Sequence, residues 1–151
     1  MNFARQGFRA RIVSLSISCA VLCGCWSALG ANAAGAPQVV RLNREFKLKA
    51  DEQVTLKRTR LRIKFVTVEN DSRCPKDVTC VWAGNAAVRF QLSVGRRNKI
   101  VTLHTSGNAT FVREIEYQGY LVKLVDLSPY QLSKQKIAAS DYIATLLVSK
   151  R

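Results

Sequence analysis

From Phe46 onward the apolar positions recur every second residue, and the charged positions fall between them. Phe46, Leu48 and Ala50 alternate with Lys47 and Lys49, Asp51-Glu52-Gln53 reads as a turn, and Val54 and Leu56 open a second segment of the same kind. Leu61, Ile63 and Phe65 then alternate with Arg60, Arg62 and Lys64. A period of two places successive side chains on opposite faces, so each segment reads as a strand with one buried face. After Phe65 the phase slips, because Val66 and Val68 fall on the basic side and Thr67 on the apolar side. A β-bulge accounts for such a slip.

The alternation resumes at Val88, Phe90, Leu92 and Val94, turns through Gly95-Arg96-Arg97-Asn98 as a four-residue connection, and returns along Ile100 to Leu103. Further strands are predicted around Phe111 to Ile115, from Tyr120 to Leu127, and from Tyr142 to Val148, with breaks at Ser106-Gly107-Asn108, Gln118-Gly119 and Ser128-Pro129. Only Gln131 to Ala139 has room for a helical turn. Seven or eight short strands in about 110 residues predict an all-β domain, a small antiparallel β-sandwich of general immunoglobulin-like form, with a small barrel as the alternative.

The first 40 residues follow a different rule. Arg5, Arg9 and Arg11 precede a stretch without charge from Ile12 to Val40, and Ala31-Asn32-Ala33 has the small-x-small form that a signal peptidase accepts. The expected organisation is a signal peptide over residues 1–33, a linker over 34–40 and a single domain over 41–151. An uncleaved membrane anchor fits less well, because Ser14, Ser16 and Ser18 interrupt a short apolar core. Leu22-Cys23-Gly24-Cys25 also resembles a lipobox, which would make Cys25 an acylated N-terminus and the protein a membrane-anchored lipoprotein. Otherwise the expected location is periplasmic or secreted. Removing Arg5, Arg9 and Arg11 from the 24 basic residues leaves 21 against 10 acidic ones, a net charge of +11.

Export also decides the cysteine chemistry. With Cys19, Cys23 and Cys25 in the leader, Cys74 and Cys80 remain, and two thiols in an oxidising compartment are expected to pair. Closing a loop this short contributes only about 2 kcal/mol by chain entropy, so the bridge shapes a loop more than it supports a fold. A redox pair or metal site is disfavoured because the spacing is not Cys-x-x-Cys and neither His nor Met stands nearby. No metal and no cofactor is implied.

Asp71-Ser72-Arg73-Cys74-Pro75, followed by Cys80-x-Trp82-x-Gly84, resembles the signature of a family of small exported or lipid-anchored bacterial proteins. The resemblance extends loosely from the Phe46 strand through the Tyr142 strand. It implies one domain and an exported life, and it brings no catalytic or binding assignment with it.

Two candidate surfaces follow. The first is the loop of Asp71, Arg73, Pro75, Trp82 and Gly84, with Asp71 expected to cap an Asx-type turn, Pro75 to stiffen the loop and Trp82 to cover the disulfide from the core side. In one alternative Arg73 is offered to the acidic pocket of an extracellular trypsin-like protease, which the domain would inhibit. The second surface is a basic face of Arg58, Arg60, Arg62 and Lys64, joined by Arg89 and by Arg96, Arg97 and Lys99 at a hairpin. Such a face attracts phosphate-rich partners. Its structural counterpart is a solvated strand whose charge discourages edge pairing.

An enzyme is the least supported class. His104 is the sole histidine, and a hydrolase built on it would need Ser106 or another serine beside it. No catalytic residue is assigned on this basis. The expected function is a non-enzymatic exported binding or structural module whose partner is an anionic envelope component or another exported protein. Export argues against nucleic acid, and a membrane enters only through a lipid on Cys25.

Overall fold

The computed structural model describes residues 38–108 and 110–151. The expected signal peptide, Cys25 and most of the expected linker lie outside the described residues. Nine strands are formed among those described: β1 (Gln38–Val40), β2 (Glu45–Lys49), β3 (Gln53–Leu56), β4 (Leu61–Asp71), β5 (Ala86–Val94), β6 (Arg97–His104), β7 (Glu114–Tyr117), β8 (Tyr120–Ser128) and β9 (Ile143–Lys150). They make two sheets, β1-β3-β4-β5-β6 and β2-β9-β8-β7, packed face to face as a β-sandwich with no closed barrel.

The two-residue period builds the core. Leu61, Ile63 and Phe65 of β4, Val88, Phe90 and Leu92 of β5, and Leu103 of β6 face Leu48 of β2, Val122, Leu124 and Leu127 of β8, and Ala144, Leu146 and Val148 of β9, all fully buried. Phe65 and Phe90 are cross-strand partners with ring centroids 5.3 Å apart, a tilted aromatic pair at the centre of the first sheet. The phase slip after Phe65 is a register shift between Phe65 and Thr67 against β5, as the alternation requires. A second shift, between Leu124 and Asp126, leaves Val125 as the extra residue and lets both Leu124 and Leu127 face inward.

Three details differ from the pattern-based expectation. The end of the expected linker is a strand, because Gln38–Val40 adds to the first sheet in parallel with Val54–Leu56. The β5–β6 connection has two residues rather than four: Val94 pairs with Arg97, and Gly95 takes φ +60°. A glycine in the first central position suits the right-handed twist of a tight hairpin, and Arg97 and Asn98 are thereby free to pair as strand residues. The segment around Phe111 is not strand, since β7 starts at Glu114; its turn at Gln118-Gly119 has positive φ at both positions. Between β8 and β9 the chain forms a short 3-10 turn over Ala139–Asp141 and no longer helix.

Pairing register fixes which loops share an end. At one end lie the β1–β2, β3–β4, β5–β6 and β7–β8 connections with the C-terminus, linked by Lys57 N donating to Val40 O, Asn43 N to Val148 O and Arg151 N to Gly119 O. At the other lie the 72–85 loop and the β6–β7 and β8–β9 connections. The 11 residues of β4 run between the two ends, a separation of roughly 35 Å at the usual rise of a strand.

Candidate functional site

The loop after β4 is held from below by one buried ion pair. Asp71 ends the strand, and its Oδ1 accepts from the Arg73 backbone N–H at 3.2 Å and from Arg73 Nε at 2.8 Å. Its Oδ2 accepts from Arg73 Nη2 at 2.7 Å and from the Tyr142 hydroxyl at 3.1 Å. The Asx-type turn expected at Asp71 is therefore formed, and a two-pronged guanidinium contact is added to it. Arg73 directs two further donors to chain carbonyls: Nη1 to Leu127 O, and Nη2 also to Pro129 O at 2.8 Å. The Tyr130 ring lies 4.3 Å from the guanidinium carbon, in the cation–π position. Gln131 Nε2 donates to Asp71 O at 2.7 Å. The pair thus ties the end of β4 to its surroundings, Arg73 to the chain leaving β8 and Asp71 to Tyr142, the residue entering β9.

Burial raises the Asp71 carboxyl, but the hydrogen bonds and charge of Arg73 outweigh it and hold the group below its ordinary value. Burial likewise opposes the charge on Arg73, and Asp71 more than restores it. Tyr142 is pushed up to about 12 by burial and by the Asp71 charge beside it. The side chains of Arg73 and Asp71 are 3% and 4% exposed. This corrects the expectation for Arg73: a buried guanidinium with four of its five N–H donors on a carboxylate and two carbonyls, and with an aromatic ring against it, is not presented to a protease pocket, and the inhibitor reading loses its central residue.

Above this base the loop is closed and narrow. Cys74 and Cys80 form the expected disulfide, with Cα atoms 5.9 Å apart. Ser72 N donates to Asn85 O at 2.8 Å and Cys74 N to Ala83 O at 3.0 Å, so the two arms stay paired past the sheet. Gly84, at φ +70°, passes so close to the opposite arm that a Cβ would sit 1.8 Å from Ser72 O. Pro75 lies inside the ring, where its carbonyl accepts from Val78 N at 3.4 Å. The ring is braced against the β8–β9 connection: Lys76 N donates to Gln131 O at 3.1 Å, Ser133 N to Asp77 Oδ1 at 2.8 Å and Ser133 Oγ to Asp77 Oδ2 at 2.5 Å. Those bonds hold the Asp77 carboxyl below its ordinary value.

The tip carries the second correction. Trp82 does not cover the disulfide; it is 82% exposed, and Val81 beside it is 90% exposed. Trp82 thus sits on the solvent side of the loop, two residues before the close approach of Gly84 to Ser72. Val78 is exposed on the same loop, and Tyr130 and Leu132 are exposed on the segment that braces it.

His104 ends β6 behind this loop. Its Nδ1 is 2.8 Å from Asn85 Nδ2, and its ring packs 4.7 Å from Phe111. Ser106 Oγ donates to Asn85 Oδ1 at 3.0 Å, as does Ser106 N at 3.1 Å, so the hydroxyl a hydrolase would use is turned to the asparagine. Asn85, Tyr130, Gln131 and Tyr142 are the members of this end that sequence reasoning missed. Their polar groups converge only through the pairing of distant strands.

The basic face is divided by the fold. Arg62 and Lys64 lie on the outer face of the first sheet, where their cross-strand partners are Thr55, Gln53, Ser93 and Gln91, and Lys64 is 4.0 Å from Asp51. Arg89 is paired with Glu69. Arg58 and Arg60 belong instead to the loop end, with Arg41 and Arg44, Lys57, Arg96 and Arg97, and Lys150 and Arg151 carried by the neighbouring connections and the C-terminus. Of these cations only Arg151 has a carboxylate partner within salt-bridge distance among the described residues, Glu116. The excess charge is concentrated at one end of the sandwich rather than spread along a strand.

Comparison with protein-family models, with curated proteins and with solved structures finds no match to this chain.

Proposed function

We propose that the protein is an exported, non-enzymatic binding module whose contact surface is the tip of the disulfide loop, and that its partner is another exported protein. The observation that carries this reading is the exposure of Val81 and Trp82, adjacent at the tip of a loop closed by a disulfide. Water around a full indole and a neighbouring valine is unfavourable, and a partner pocket that covers them gains the apolar area of both. Trp is also the residue type most enriched among contacts that dominate binding energy.

Rigidity strengthens the case. The loop is fixed by the disulfide, by Gly84, by the Asp77–Ser133 bonds and by the Asp71–Arg73 pair beneath it, so little conformational entropy remains to be lost on association. A loop needed only as a connection would have no use for a displayed tryptophan on so constrained a base. The disulfide is consistent with an oxidising compartment, and export through the N-terminal signal supplies one.

The test is photo-crosslinking from position 82 in cells that export the protein, with position 100 as the control. Ile100 is 62% exposed on the sheet face and offers comparable apolar exposure away from the loop. The expected result is a discrete adduct from position 82 that disappears in the Cys74→Ser, Cys80→Ser variant. Identical adducts from both positions, or none from position 82, would overturn the proposal.

A further inference from the structure

At the end of the sandwich opposite the disulfide, the β1–β2 and β3–β4 connections form a solvent-open pocket of about 420 Å³ lined by Arg41, Leu42, Lys57, Arg58 and Thr59. The parallel pairing of Val40 with Leu56 and the bond from Lys57 N to Val40 O at 2.7 Å bring the two loops together. Three cationic side chains therefore converge on one concavity. None has a carboxylate within 4.0 Å among the described residues, although the molecule pairs cations elsewhere, at Asp51, Glu69, Asp71, Glu114 and Glu116. Like charges gathered without a counter-charge repel one another, and a concave low-dielectric wall focuses their field on whatever anion enters.

The loop that holds them is fixed. Thr59 N and Thr59 Oγ1 both donate to Leu56 O, at 3.1 and 2.9 Å, and Thr59 Oγ1 accepts from Leu61 N at 3.1 Å. Within it Arg58 takes φ +61°, in the left-handed region. Asn43, Asp51 and Gln118 share that conformation; Asn and Asp tolerate it best, and for a side chain such as arginine it costs about 1 kcal/mol. An asparagine would serve the turn better; what arginine adds is a guanidinium at the cavity.

We propose that this pocket binds a phosphate-bearing ligand, a diphosphate or phosphomonoester group carried either free in solution or on a lipid headgroup. Two guanidinium forks and one ammonium present donors from several directions, which matches a multi-oxygen phosphate dianion better than a single carboxylate. The volume exceeds one phosphate and falls in the ordinary range of small-molecule sites, and Leu42 supplies an apolar wall for the group that carries the phosphate. This site lies at the far end of β4 from the disulfide loop, and the inference does not rest on the loop reading.

Calorimetric titration with inorganic pyrophosphate at about 0.15 M salt tests it, because exposed charges further apart than a Debye length are largely screened there. The pocket variant is Lys57→Gln with Arg58→Asn, whose asparagine is at ease in the left-handed turn, so the fold is retained and a thermal melt verifies it. The control is Arg62→Gln with Lys64→Gln, which removes the same charge from the sheet face. Saturable one-to-one binding, weakened about tenfold or more in the pocket variant and less than about twofold in the control, is the expected result. Equal losses in both variants would mean binding to net charge alone, and that result, or the absence of saturation in the parent protein, overturns the proposal. Co-sedimentation with phosphatidic acid vesicles, against phosphatidylcholine vesicles, then assigns the source of the confirmed site. Pocket-dependent binding to the former places the phosphate on a lipid, and its absence places it on a soluble ligand.

Discussion

Arg73 and Asp71, two residues apart in the chain, meet in a two-pronged ion pair, with Nε 2.8 Å from Oδ1 and Nη2 2.7 Å from Oδ2, buried where the two sheets come together. Geometry of this kind makes the pair costly to break by one partner and cheaper to replace as a whole, because a single deletion leaves an uncompensated buried charge. Asp71→Ala is expected to destabilise the domain by about 3–5 kcal/mol, read from the urea midpoint at unchanged slope. Replacing both residues with apolar ones, Asp71→Leu with Arg73→Met, is expected to cost less than Asp71→Ala alone. A double variant worse than the single one would refute the pair as the source of the effect.

The same pair predicts the acid limb of stability. The Asp71 carboxyl lies below its ordinary value of 3.8 in the folded state, so the unfolded chain takes up the proton first as pH falls. Its contribution is complete above the unfolded value and is lost as pH drops through the folded one. Stability of the parent should fall below about pH 4 more steeply than that of Asp71→Asn, measured by denaturant melts across the acid range.

Tyr142 sets a matching alkaline limb. Its folded value of about 12 lies above the ordinary 10.0, so its contribution is complete below the unfolded value and is lost as pH rises toward the folded one. Tyr142→Phe removes the titrating group and is expected to flatten the loss of stability between these two values. An unchanged alkaline limb would show that other groups control it.

Gly84 and Gly95 both have positive φ, but they differ in surroundings. A Cβ at position 84 would strike Ser72 O at 1.8 Å, whereas one at position 95 meets nothing within 4 Å. Gly95→Ala should therefore cost only the backbone strain, about 1 kcal/mol, while Gly84→Ala must displace one arm of the loop and cost more. Thermal midpoints in that order are expected, and the reverse order would contradict the close approach at Ser72.

Trp82 offers the most direct check on the loop tip. The chain has two tryptophans, and in a protein starting at Ala34, after the expected signal peptide that holds Trp26, the indole signal comes from Trp82 alone. Its emission should be that of a water-exposed ring, and Trp82→Ala should change stability by no more than about 0.5 kcal/mol, as for surface positions. A loss of several kcal/mol with blue-shifted emission would return the tryptophan to the core side of the disulfide.

The strand content was legible because burial of one face imposes a period of two that survives in sequence, and the bulge after Phe65 announced itself as a phase slip. The Cys74–Cys80 pairing followed from the small number of thiols outside the expected signal peptide. The direction of Trp82 was not legible: a large aromatic beside a disulfide reads as core, and its exposure depends on how the two arms of the loop pair across Ser72–Asn85 and Cys74–Ala83 rather than on its neighbours in sequence. Arg73 read as an exposed recognition residue because nothing local shows that Leu127, Pro129, Tyr130 and Tyr142 surround it.

Charge was divided in the same way. The sequence by itself determined the excess of cations, the alternation that builds two half-buried sheets and the turns between them, because each is a property of neighbours along the chain. Tertiary structure alone decided that Arg58 leaves Arg62 and Lys64 to join Arg41 and Lys57 at a cavity, and that Asp71, Arg73 and Tyr142 share one buried network. Arg41 with Lys57 and Arg58, and Tyr142 with the Asp71–Arg73 pair, are distant in sequence, and strand order and register, not local pattern, choose which of them meet.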